Sequence, residues 1–99
     1  MDFRANDPRY EMVNVMYKAG KIKFFRDIFK YIPKTRVSQD MGIKNDRWNV
    51  LADHLEEFDL KQMFTMCWLF RISERDMFEL IFNEYMDKRA KYEKYMPEN

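Results

Sequence analysis

The sequence predicts an all-α fold, a compact bundle of about five helices of which the C-terminal one is the longest. Three observations carry that expectation. Apolar residues recur at spacings of three and four along most of the chain, the period of an amphipathic helix. Nine Met and nine Phe dominate the apolar set while Val and Thr are scarce, so the core fillers are soft and unbranched rather than strand-forming. Only two Gly and three Pro interrupt 99 residues. A chain of this length makes one domain, residues 1–99, and its 46% hydrophobic content supplies the surface needed to offset chain entropy.

Each element has a local reason. Asp7 before Pro8 is an N-cap acceptor followed by a ring pre-set for the first helical position, and Met12, Val13, Met16 and Tyr17 form the stripe of a helix that ends at Gly20. From Lys21 to Tyr31 the residues Ile22, Phe25, Ile28, Phe29 and Ile32 keep helical spacing until Pro33, with Lys23, Arg26 and Lys30 on the other side. Lys34 to Met41 is a short helix with Val37, Ser38 and Met41 on one face, closed by Gly42. A second short helix covers about 45–55, with Asn45 able to cap it and Trp48, Leu51, Ala52 and Leu55 as its stripe. Phe58, Asp59 and Gln62 read as staple, cap and capping-box partner of a helix that is apolar on most sides, with Met66 and Trp68 expected in or near the core. Ile72 and Ser73 open the last helix, about 74–90, which carries Met77, Phe78, Leu80, Ile81, Phe82 and Tyr85 and leads into a charged tail to residue 99.

Charge is unevenly placed. Residues 1–50 hold eleven basic and six acidic side chains, whereas residues 51–99 hold seven and eleven, for a total of +1. Lys18, Lys21, Lys23, Arg26, Lys30, Lys34 and Arg36 face a single acid, Asp27, in the same stretch, a local excess suited to a polyanion. Enzymatic chemistry finds little support. One His (His54) and one Cys (Cys67) do not compose a zinc site, and neither a metalloprotease HExxH, a GxSxG elbow nor a glycine-rich phosphate loop occurs. The expectation is a protein that is not an enzyme and uses no cofactor or metal. Cys67 in an apolar run reads as a buried thiol in a reducing compartment. With no hydrophobic leader and no membrane-length apolar run, the expected location is cytoplasmic.

The informative segment is PKTRVSQDMGIKNDRWNVL, two short helices joined through Gly42, the arrangement of a helix-turn-helix motif over about 34–55. A small residue is required at Ser38 where the helices approach, and Gly42 supplies the positive φ of the reversal. Val37, Met41, Ile43, Trp48 and Leu51 then converge on one core, leaving the opposite face of the second helix outward.

On these residues the chain resembles the lambda-repressor/Cro-like helix-turn-helix regulators, of the divergent small type with a DPRY start and an IPKT segment. Val37, Ser38, Met41, Gly42, Ile43, Trp48 and Leu51 match the pattern in register, and FDLKQMFTMCWLFRISERDMFELI resembles the fourth and fifth helices, so the likeness spans about residues 7–85. The resemblance implies a sequence-specific transcriptional regulator that binds double-stranded DNA in the major groove with the helix at 45–55, as a homodimer; Phe78, Phe82, Tyr85 and Met86 make the C-terminal helix the expected pairing surface. Base edges then fall to Lys44, Asn45, Arg47 and Asn49: Arg47 for guanine, Asn45 or Asn49 for adenine, Lys44 for guanine or phosphate. Lys34, Thr35, Arg36 and Gln39 are the expected backbone-phosphate contacts. Lys34 and Ser38 stand where the family often has Gln and Ala, and Asp46 places an anion at the front of the reading helix. The rival expectation is an interaction module or antitoxin-like adaptor on the same scaffold, with a protein partner at the C-terminal tail.

Overall fold

In a computed structural model of the chain, residues 7–93 are described. Among them are five α-helices: α1 (Pro8–Lys18), α2 (Lys34–Met41), α3 (Asn45–Asp53), α4 (Leu60–Phe70) and α5 (Glu74–Glu93). Two 3-10 segments, Phe25–Lys30 and Leu55–Glu57, complete the regular structure, and none of the described residues forms a strand. The all-α bundle with a long last helix is therefore as expected. Residues 94–99, the end of the expected tail, lie outside the described residues.

Three helices begin as their sequences dictate. The Asp7 carboxylate accepts from the Arg9 N–H at 2.9 Å and starts α1, while Gly20, at φ 76°, ends the turn that follows it. Asp59 and Gln62 close a reciprocal capping box on α4, with Gln62 N donating to Asp59 Oδ1 at 2.7 Å and Asp59 N donating to Gln62 Oε1 at 3.0 Å. The Ser73 hydroxyl accepts from the Asp76 N–H at 3.2 Å and starts α5.

The run from Lys21 to Tyr31, expected as a helix, departs from that reading. Residues 21–24 are irregular, and only Phe25–Lys30 is helical, in the tighter 3-10 form. Ile22, Phe25 and Ile28 are three apart, a spacing that lines one side of a three-residue turn as well as an α-helical one, and all three are buried. Asp27 selects the tighter start by accepting the N–H groups of Lys23 and Phe24, each at 3.0 Å. Burial pushes its carboxyl up, but these donors and Lys30 outweigh it and hold the group below its ordinary pKa.

The core runs through every helix, with Val13, Phe25, Ile28, Val37, Trp48, Leu51, Met66, Phe70 and Met77 essentially inaccessible. Its centre is aromatic: the Trp48 ring lies 5.9 Å from Phe29, 5.7 Å from Phe58 and 6.5 Å from Phe25. Burial pushes the Cys67 thiol up, as expected of an inert buried sulfur. Two expected core positions turn outward. Trp68 is 49% exposed and Met12 45%, because Leu60, Phe64 and Trp68 recur every four residues along the side of α4 opposite Met66 and Phe70, and Met12 lies off the Tyr10–Val13 face of α1.

Candidate nucleic-acid interface

The two short helices α2 and α3 are joined by Gly42, Ile43 and Lys44. Gly42 sits at φ 70°, and a side chain there would meet no neighbouring atom, so the position is constrained by backbone conformation alone. Its N–H donates to the Gln39 carbonyl at 3.1 Å and that of Ile43 to Ser38 at 2.9 Å, which closes the end of α2 before α3 begins. Ser38 is buried between the helices; its hydroxyl lies 2.7 Å from Asn45 Oδ1 and 3.0 Å from the Thr35 carbonyl and donates to one of them at a time.

Around this pair the scaffold is heavily tied. Tyr10 donates to the buried carboxylate of Asp40 at 2.5 Å, and Arg36 Nε reaches the same oxygen at 3.1 Å and Asp7 at 3.5 Å, so α2 is fastened to α1. Burial, reinforced by the Asp40 carboxylate that takes its hydrogen bond, pushes the Tyr10 phenol far up. At the other end, Lys88 of α5 donates to the Ala52 carbonyl in the last turn of α3 at 2.9 Å and pairs with the buried Glu84 at 3.3 Å; Glu84 also accepts the Arg26 N–H at 2.6 Å. The α3 helix is thus held at three points: Asn45 against Ser38, Trp48 in the aromatic centre, and Ala52 under Lys88.

What α2 and α3 leave outward matches most of the expected contact set. Lys34, Thr35, Gln39, Lys44, Asn45, Arg47 and Asn49 are all exposed. Arg36 is the exception, since its guanidinium is engaged by Asp40 and Asp7. Asn45 is the first residue of α3 rather than its cap, which is Lys44. The Ser38 hydroxyl beside its Oδ1 ties Asn45 to the end of α2, whereas Asn49 carries no such contact and keeps its whole amide for a ligand. Arg26 does not extend the basic surface: it pairs with Asp87 at 3.1 Å and lies 4.3 Å over the Phe24 ring. Hydrogen bonds from Lys91 and Arg26 hold the Asp87 carboxyl below its usual range.

The helix starts are electrostatically distinctive. Neither Pro33 before α2 nor Lys44 before α3 caps its helix with a side-chain hydrogen bond, and the first turn of α2 carries no acid. Lys34, Lys44 and Arg47 stand where the positive end of the helix dipole favours anions. Asp46 is the one acid in the first turn of α3, which accounts for an anion at this place by its favourable dipole interaction. Two features were not legible in the sequence. Arg47 Nη1 lies 3.4 Å from Glu57 in the following 3-10 segment, and His54 Nδ1 lies 3.7 Å from Glu56; the donor atoms of His54, Glu56 and Glu57 all fall within 4.8 Å of one another on the open surface. The first pairing arises because Leu55–Glu57 brings Glu57 back beside α3, which spacing alone does not reveal; the second is a local contact within that turn.

No family model, curated protein or solved structure matches the chain. Among the described residues, no helix is long and apolar enough to cross a membrane.

Proposed function

We propose that this protein is a sequence-specific DNA-binding regulator in which α2 and α3 act as a helix-turn-helix of the Cro-like kind, α3 entering the major groove. The observation that carries the reading is the pair of uncapped, exposed helix N-termini bearing Lys34, Lys44 and Arg47, on the only two α-helices of the described residues that begin without a side-chain cap. A phosphate supplies the acceptor that both ends lack and, at α2, whose first turn carries no acid, the negative charge as well. In this reading Lys34 and Thr35 meet the backbone, Gln39 and Lys44 flank it, and Arg47 and Asn49 read guanine and adenine, with Asn45 held beside Ser38.

Two copies serve such a site best when their reading helices lie about one DNA turn, ~34 Å, apart. The outward residues Phe78, Phe82, Tyr85 and Met86 of α5 suit a two-fold pairing through that helix. The second reading, a module that binds another protein, rests on the same apolar face together with a shallow groove of about 200 Å³ lined by Leu55, Phe58, Met63, Phe78, Phe82 and Tyr85.

The test is binding to labelled random-sequence duplex at 50 and 200 mM salt, followed by selection from a random library. Steeply salt-dependent binding whose slope falls by about one unit in Lys34→Ala is expected. Arg47→Ala is expected to cost about 1–3 kcal/mol at the selected site and to relax preference at one base pair. Weak binding that is insensitive to salt and to both substitutions would remove the DNA reading and leave the apolar face of α5 as the functional surface.

A further inference from the structure

Arg47 is the residue on which base reading depends most, and it is long, exposed and flexible. A side chain of this kind loses rotamer entropy when it is fixed on a base. The structure offers a means of fixing it beforehand. Glu57, ten residues downstream, returns along α3 in the Leu55–Glu57 segment and meets Arg47 Nη1 at 3.4 Å, both side chains being about half exposed.

Donor arithmetic decides what that contact does. A guanidinium has five N–H donors in a rigid fork, and a bidentate grip on guanine O6 and N7 uses two along one edge. Glu57 engages a single nitrogen, Nη1, so the edge formed by Nη2 and the remaining donors stays available while the pair is intact. The carboxylate therefore need not leave when a base arrives. Its neighbour Glu56 carries the same charge but meets His54 instead, so the geometry separates the two acids.

Resting on the DNA-binding reading, we infer that Glu57 is a positioning residue that pre-orients the Arg47 guanidinium for guanine and thereby sharpens base preference, although its own charge opposes DNA. The sign of each effect follows. Removing the charge relieves repulsion from phosphate and tightens binding to any sequence, whereas removing the brace frees Arg47 to rotate and lowers discrimination at the base pair it reads.

The experiment compares wild type with Glu57→Gln, Glu57→Asp and Glu56→Gln on three duplexes: one of random sequence, the one selected by the wild type, and the selected one with the base pair exchanged at which Arg47→Ala loses preference. Glu57→Gln and Glu56→Gln are expected to gain similarly on random duplex. Glu57→Gln, unlike Glu56→Gln, is expected to lose discrimination between the selected and exchanged duplexes, by about two- to fivefold, the range set by a surface ion pair. Glu57→Asp is expected to keep part of it. Thermal midpoints should be the same for all four proteins, because an exposed pair adds little to stability. Unchanged or increased discrimination in Glu57→Gln would overturn the inference while leaving the DNA-binding reading intact, an increase meaning that Glu57 competes for Arg47. Absence of salt-dependent DNA binding by the wild type would overturn both.

Discussion

Helices α1, α4 and α5 begin on side-chain caps, Asp7, Asp59 and Ser73, whereas α2 and α3 begin on Pro33 and Lys44 with none. In the first group the cap takes one of the N–H groups that a helix start leaves unpaired; the second has no such acceptor. A missing cap costs a helix about 1 kcal/mol, and α2 and α3 recover it elsewhere, through Trp48 in the aromatic centre, Asp40 under Tyr10 and Arg36, and Ala52 under Lys88. Stability in this molecule is concentrated behind the two short helices and withheld from their front ends.

The largest expected effect tests the rear support. Trp48→Ala should lose about 3–5 kcal/mol by denaturant unfolding, since the ring is fully buried against Phe25, Phe29 and Phe58. A loss under 1 kcal/mol would mean that α3 is not seated through this residue. A sharper comparison gives α3 the cap it lacks. Lys44→Asp should raise unfolding free energy by about 0.5–1 kcal/mol while weakening duplex binding at least about tenfold, two effects of opposite sign from one substitution. If stability and binding change in the same direction, the front end of α3 is not specialised.

The smallest effect tests a cap already present. Hydrogen bonds and charge from Arg9, with Arg36 nearby, hold the Asp7 carboxyl down at about 2 against a partial burial that opposes them. A carboxyl whose folded pKa is depressed stabilises the fold above its unfolded value near 4 and ceases to do so as pH falls toward 2. Asp7→Ala should cost about 1 kcal/mol at neutral pH, and the difference from wild type should shrink as pH falls below about 4 and be lost as it passes through 2. A difference that persists below pH 2 would assign the loss to packing instead.

The capped group was also the legible one. Asp7-Pro8, Asp59 with Gln62, and Ser73 act on N–H groups two or three residues away, so a local pattern suffices to place α1, α4 and α5. Gly42 and the buried Ser38 were readable for a similar reason, as positions where only particular residue types fit the backbone or the contact. Misreadings arose where a pattern admits two geometries. The spacing of Ile22, Phe25 and Ile28 serves a 3-10 turn as well as an α-helix, and an all-round apolar α4 does not disclose that Trp68 is the side left uncovered. The pairs that shape the candidate interface, Arg36 with Asp7, Ser38 with Asn45 and Arg47 with Glu57, join separate elements and follow from the way those elements pack. These pairs are also what set Arg36, Asn45 and Arg47 apart from the rest of the eight expected contact residues.

The two tryptophans sit in opposite surroundings, Trp48 sealed among aromatic rings and Trp68 half open to solvent. An indole shielded from water emits at shorter wavelength than one that solvent can relax, so the protein carries two intrinsic light sources of different colour. Replacing Trp68 with Phe would leave Trp48, on the buried face of α3, as the one indole. The colour of that emission would then report whether α3 remains seated while its other face is at work.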